Sequence, residues 1–180
     1  MDDIVRQAIA KWPRVPHCFG WLGLDARGCW YLRDAAAQAL GAFGSGVPGA
    51  RGELLRHDKL IDFIGRNYEA DEFGQWFFQN GPQRVYVELE CTPWVWRVHA
   101  DGQVLTHTGL PATVQGLWLD EAGRVYLQAD RGIGLVHSQD VVLVAAAIEQ
   151  GRWSPQSIMA AEVPARFGFV LRPERRSGAA

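Results

Sequence analysis

Cysteine, an excess of charge of either sign, and long apolar runs are all scarce in this chain of 180 residues. Cys18, Cys29 and Cys91 are odd in number and irregularly spaced. Reduced thiols in a cytoplasmic protein are the simplest account of them. A net charge of −2 gives no broad attraction to nucleic acid or to anionic membrane, so neither is expected as a partner. The longest apolar run, Val141 to Ile148, stops at Glu149, well short of the ~20 residues a membrane-spanning helix needs. Asp2 and Asp3 stand where a secretory signal would be basic, so no signal peptide is expected.

Several chemical signatures are missing too. Neither Gly44-Ser45-Gly46 nor Gly132-Ile133-Gly134 is followed by the Lys-Ser/Thr of a phosphate loop, and neither lies between a strand and a helix. No Gly-x-Ser-x-Gly elbow occurs. His17, His57, His99, His107 and His137 show no ligand spacing with one another or with the cysteines. Cys91, ending an apolar strand, reads as a packing residue. No catalytic residue, metal or cofactor is therefore expected.

What is present is aromatic and apolar. Hydrophobic residues make up 48% of the chain, enough for the core of one domain. The stretch from Gln75 to Val98 holds Trp76, Trp94 and Trp96 and the clearest period-two pattern. Val85, Val87 and Leu89 fall on one strand face, and Arg84, Tyr86, Glu88 and Glu90 on the other. Asn80-Gly81 and Thr92-Pro93 interrupt the stretch, which predicts three antiparallel strands at the centre of one sheet.

Around this stretch, residues 3–12 predict an amphipathic helix capped by Asp2 or Asp3 and ended by Pro13, with Ile4, Val5, Ala8, Ile9 and Trp12 on its apolar face. Asp34 caps a short helix through Phe43, and the loop Gly44–Gly52 reads as mobile. Further helices are expected at 58–68 and at 141–150, the latter capped by Ser138 or Asp140 and stopped by Gly151. A last strand is expected from Phe167 to Leu171.

The hairpin Leu22–Leu32 aligns without gaps on Leu117–Leu127, and six of eleven positions are identical. Each contains Asp-x-x-Gly, the chemistry of a type I turn whose glycine takes positive φ. Asp71-Glu72-Phe73-Gly74 is a looser third copy. Such likeness arises from turn chemistry alone or from a duplicated β-rich subdomain, and the near-even placing of Asp25, Asp71 and Asp120 favours the second. The fold class predicted is α+β: antiparallel β-hairpins forming two similar β-rich halves with three or four packed helices. The expected organisation is a single compact domain over 1–172, divisible into similar subdomains near 13–98 and 99–150, with 173–180 as a frayed tail.

Two resemblances accompany these residues. Val15-Pro16-His17-Cys18-Phe19-Gly20-Trp21-Leu22-Gly23-Leu24-Asp25 and Phe77-Phe78-Gln79-Asn80-Gly81-Pro82-Gln83-Arg84-Val85-Tyr86-Val87 resemble the wording of an uncharacterised proteobacterial family with no assigned activity. The resemblance spans about residues 1–140; Gly44–Gly52 looks like an insertion, and the chain beyond Gly151 departs from the family. The order Gly28-Cys29-Trp30, helix 58–68, Thr92-Pro93 is similar to a second unknown-function family. That resemblance implies repeated β-rich motifs and a signalling or ligand-binding role, and it transfers no catalytic residue.

The candidate site is Gln79, Arg84, Tyr86, Glu88 and Trp94, with Trp96 beside Trp94. An arginine among aromatic rings with a few polar groups is how a pocket for a small anionic or planar ligand is built. The same residues also suit a second buried core. The expected function is a cytoplasmic ligand-binding or regulatory module without chemistry of its own. The alternatives are a small enzyme using Arg84 and Glu88, and a homo-oligomer that buries surplus tryptophans.

Overall fold

One recurrent turn closes most of the hairpins in the chain. In the computed structural model, which describes residues 2–12 and 15–175, the amides of Asp25, Asp71, His99, Thr106 and Asp120 each donate to the carbonyl four residues on, at 2.8–3.1 Å. The glycine of each turn, from Gly28 to Gly123, has φ between +75° and +87°. Only glycine holds that conformation without strain. In three of the turns the aspartate also accepts the amide four residues on, at 2.8–2.9 Å.

The helices are α1 (Asp3–Lys11), α2 (Ala35–Ala39), α3 (Asp58–Arg66), α4 (Val141–Glu149) and α5 (Val163–Phe167). The strands are β1 (Cys18–Leu24), β2 (Trp30–Leu32), β3 (Glu53–Leu54), β4 (Tyr68–Ala70), β5 (Trp76–Asn80), β6 (Gln83–Leu89), β7 (Trp94–Val98), β8 (Val104–Thr106), β9 (Pro111–Ala112), β10 (Val114–Leu119), β11 (Val125–Ala129), β12 (Gly132–Val136) and β13 (Pro155–Ser157). Among the described residues no helix is long and apolar enough to cross a membrane.

The chain forms two compact units. The first comprises Met1–Asp25, Cys29–Glu90 and Phe169–Ala180; the second comprises Ala26–Gly28 and Cys91–Gly168. The first sheet has the order β3-β2-β1-β6-β5-β4, and the second β13-β10-β11-β12-β7-β8-β9. Each joins two antiparallel triplets through one parallel seam, β1 with β6 and β7 with β12. Without β13 the two diagrams are the same. The protein is α+β with two similar β-rich halves, as its hairpins and helices predict.

This topology makes β4–β5 equivalent to β10–β11, so Asp71 matches Asp120, Gly74 matches Gly123 and Phe77 matches Tyr126. The stronger sequence likeness, Leu22–Leu32 with Leu117–Leu127, joins hairpins at different places in the two sheets. Their registers agree all the same: Leu22 pairs with Leu32 and Leu117 with Leu127. Sharing a turn accounts for that, because the turn also closes hairpins of unlike sequence.

The central stretch is corrected in one respect. β5 and β6 are antiparallel, but β7 belongs to the other sheet, so Thr92-Pro93 separates sheets rather than neighbouring strands. β6 instead lies between β5 and β1, and from Tyr86 to Leu89 both of its faces are covered. Tyr86 is 5%, Val87 0%, Glu88 6% and Leu89 3% exposed.

Several local expectations also change. Residues 167–171 are not a strand: α5 begins with Val163-Pro164 and ends at Gly168, whose φ is +68°. Asp2 and Asp140 precede helices without capping them, because Asp2 accepts from Arg66 and Asn67 while Asp140 accepts from Arg97 and the Val98 amide. Asp34 does cap α2, accepting the Ala37 amide at 2.8 Å, but the helix ends at Ala39. Ile4 and Trp12 of the expected apolar face of α1 are exposed, and Val5 carries the burial. The Gly44–Gly52 loop is anchored through Ala50, fully buried, whose carbonyl accepts from Arg33. Pro13, the expected end of α1, and residues 176–180 of the expected tail lie outside the described residues. The Glu174 amide, within that tail, donates to Gln75 Oε1 at 2.7 Å.

Candidate functional site

Strand alternation on β6 sends Arg84 and Tyr86 to the face opposite Val85 and Val87. Cross-strand partners share a face, so Phe77 and Gln79 of β5 join Tyr86 and Arg84. On this face the first unit contains a cavity of about 520 Å3. Tyr86 and Phe19 stack on one of its sides with centroids 4.4 Å apart and planes 8° apart. His17 meets the Tyr86 ring edge-on at 5.9 Å. Arg84 enters from the start of β6 with its guanidinium 4.4 Å above the Phe77 ring. The turn Asp71-Glu72-Phe73 forms the rim, with Gln75, Glu174 and Arg175 beyond it.

Each of these side chains has a local cause. Asp71 holds its own turn by accepting the amides of Phe73 and Gln75, both at 2.9 Å, and its second oxygen takes the Tyr86 hydroxyl at 3.1 Å. Gln83 Nε2 donates to the Pro16 carbonyl at 2.8 Å and so fixes the approach of His17 to β1. Gln75 Oε1 brings Glu174, and with it Arg175, to the same cavity; the Arg175 guanidinium lies 5.9 Å from the Phe19 ring.

Burial and neighbouring charges set the protonation of the cavity side chains. Burial raises the Tyr86 phenol, with Asp71 adding to the rise and Arg84 opposing it, so the hydroxyl stays protonated and donates. Burial and then the Arg84 guanidinium lower the His17 imidazole, keeping it neutral at pH 7. Its Nδ1 is buried with no hydrogen-bond partner among the described residues. Among those residues no carboxylate lies within ion-pair distance of Arg84.

The expected site residues are only partly brought together. Arg84 and Tyr86 line the cavity. Gln79 is buried and donates to the Gly81 carbonyl at 2.9 Å, away from the lining. Glu88 shares the strand face but is held by Arg33, which donates from Nη1 at 2.5 Å, while the Phe43 amide donates to its other oxygen at 2.8 Å. Arg84 and Glu88 therefore do not form a joint acid–base pair. Glu90 pairs with Arg51. Trp94 lies in the second unit, where its indole donates to the Arg131 carbonyl at 2.7 Å and Trp96 stacks 6.5 Å away.

His17, Phe19, Asp71, Gln75 and Arg175 are the residues that sequence reasoning did not assign to this cavity. The Pro16-His17-Cys18-Phe19 wording marked a strand start, and Asp71 read only as turn chemistry. Among the described residues no group of three His, Cys, Asp or Glu side chains is placed to hold a metal ion.

Fold and cavity together define an α+β protein of two like sheets with an open cavity on one face of the first. The family model DUF2944, described as "Protein of unknown function (DUF2946)", matches residues 1–174, and the chain belongs to that family. Two crystal structures of DUF1285 family proteins are similar in fold. One, from Silicibacter pomeroyi DSS-3, is 13% identical over 80% of this chain and 83% of its own, with a TM-score of 0.49. The other, from Shewanella baltica OS155, is 16% identical over 70% of this chain and 91% of its own, with a TM-score of 0.46. No curated protein matches the chain.

Proposed function

We propose that the protein is a ligand-binding or regulatory module whose first unit captures a small planar anion in the Arg84 cavity. The observation that carries this reading is Arg84 itself. It sits over an aromatic ring and beside an open cavity, and among the described residues no carboxylate lies within ion-pair distance of it. A half-buried guanidinium in that state favours an anion. Phe19 and Tyr86 line the cavity with aromatic surface, and the Arg84 guanidinium, backed by the Phe77 ring, offers a flat cationic group to a planar ligand. Arg175 adds a second positive charge. The cavity presents an imidazole, a protonated phenol and two guanidinium groups beside the carboxylates of Asp71, Glu72 and Glu174, an array of donors and acceptors suited to orienting a bound molecule. The odd number and irregular spacing of Cys18, Cys29 and Cys91 suit reduced thiols in a cytoplasmic setting.

The test is thermal denaturation of wild type and Arg84→Ala with benzoate, phthalate and adenosine monophosphate. At least one probe should raise the wild-type melting temperature with concentration, and Arg84→Ala should lose that rise while remaining folded. A variant that keeps the full rise removes Arg84 from the site.

A further inference from the structure

The opposite face of the first sheet carries a second and larger cavity, about 750 Å3, with a different character. Its base is formed by Leu22, Ile64 and Phe78, each less than 10% exposed. Val85 extends this floor along β6, and helices α2 and α3 contribute Ala36 and Leu60. At its mouth stand Trp21, Leu32 and Leu40, which are 50%, 46% and 51% exposed. Folding alone does not require three large apolar side chains to gather at the opening of a walled cavity. Contiguous apolar surface of this kind marks a binding site, and the volume falls in the roughly 300–1,000 Å3 range of small-molecule sites.

The charges around it select the ligand. Among the described lining residues the one cation is Arg33, and all five of its N–H donors are engaged. Nε donates to the Ala50 carbonyl at 2.8 Å; Nη1 to Glu88 at 2.5 Å and Gly20 at 3.4 Å; Nη2 to Gly41 at 2.5 Å and Ala37 at 3.5 Å. Nothing on that guanidinium remains for a ligand carboxylate. The other charged lining groups are Asp34 and Glu53, both exposed, and Asn80 adds a neutral amide. We infer that this cavity binds a single-chain aliphatic molecule whose polar end is cationic or uncharged. Its apolar chain lies against Leu22, Phe78 and Val85, and its head meets Asp34 and Glu53. The site is independent of the Arg84 cavity and prefers the opposite charge.

Three probes of equal chain length test this by isothermal titration of the full chain: octylammonium, 1-octanol and octanoate. The expected result is saturable binding of the first two, with octanoate roughly three- to tenfold weaker than octylammonium, the range one or two exposed carboxylates provide. Ala36→Trp, an exposed helix position on the wall, should abolish binding by filling the cavity, and Glu53→Lys should narrow or reverse the preference. Neither change touches Arg84, so the response to planar anions should persist in both. Octanoate binding as tightly as octylammonium, absence of saturable binding, or unchanged binding in Ala36→Trp would each overturn the proposal. So would a wild-type dimer in sedimentation that Leu40→Asp dissociates, since the cleft would then belong to a second copy of the chain.

Discussion

In the second unit the carboxylate of Asp120 collects the amides of Ala122 and Arg124 at 3.0 and 2.8 Å, the Tyr126 hydroxyl at 2.8 Å and the Arg124 guanidinium at 2.6 Å. In the first unit the matching Asp71 collects the same two amides and a tyrosine hydroxyl, but no arginine. Phe77 stands where Tyr126 does, and the hydroxyl arrives from Tyr86 on the neighbouring strand. Gln75 replaces Arg124, and the arginine above the ring is Arg84, which leaves Asp71 unpaired. One corner is closed by its own charges; in the other the carboxylate is held by uncharged donors, and the guanidinium is left for something else. An open corner differs from a closed one by where the arginine sits, not by the turn that builds it.

The two parallel seams differ in the same spirit. Glu88 and Arg33 form a buried ion pair at the first, where the topologically equivalent residues of the second are His137 and His107. Four measurements would break or sharpen this contrast. The largest effect should come from Glu88→Ala, which strands a buried guanidinium and should cost about 3–5 kcal/mol in chemical denaturation. A cost below about 1 kcal/mol would show that the pair is dispensable.

The second concerns acid. Burial lowers the His107 imidazole to about 3, and its Nδ1 accepts the Val95 amide at 3.3 Å. The unfolded chain takes up that proton near its ordinary value of 6.5, whereas the folded chain waits until about 3. Stability should therefore fall as pH drops through this window, by about 1.4 kcal/mol per pH unit for one proton. His107→Gln should remove that share of the slope in denaturant titrations at successive pH values. An unchanged slope would place the acid sensitivity elsewhere.

Third, Asp120→Asn should destabilise more than Asp71→Asn, about 2 against about 1 kcal/mol, because only Asp120 also loses an ion pair. Burial opposes ionisation of Asp120, but the Arg124 amide, the Tyr126 hydroxyl and the Arg124 guanidinium outweigh it and lower its pKa. Its stabilising share is present above the ordinary value of 3.8 and lost as pH falls through the folded value. Equal costs for the two variants, measured by urea unfolding, would erase the distinction between closed and open corners. Smallest should be Arg84→Ala without ligand, within about 0.5 kcal/mol of wild type. A larger cost would make Arg84 a structural residue.

What could be read in the sequence was local. Asp-x-x-Gly located the hairpins because each turn carries its own hydrogen bonds, and the alternation of Val85, Val87 and Leu89 gave the faces of β6. The seams were not legible, since no periodicity in β1 announces that Leu22 will meet Val87. The partner of Glu88 was hidden for the same reason: Arg33 lies 55 residues away. Trp94 was assigned to the site on the assumption that consecutive strands pair, and Thr92-Pro93 instead starts a new sheet. Helix α5 was a missed local signal, as a proline in its first turn and Gly168 after its end mark both termini.

The parallel seams also set an order of events during synthesis. A strand that pairs with the last member of the next triplet has to wait for it, and β1 waits from Leu22 until Val87 has been made. In the second unit the wait runs only from Trp96 to Val136. Until β6 arrives, the β1–β2 hairpin presents an open edge with Leu22 and Leu24 uncovered. The triplet β4–β5–β6 closes through short turns and can assemble first, so it becomes the template onto which the older β1 is added. The amino-terminal strand is thus expected among the last to find its place, and slower synthesis between β2 and β6 should prolong the interval in which its edge is exposed to other chains.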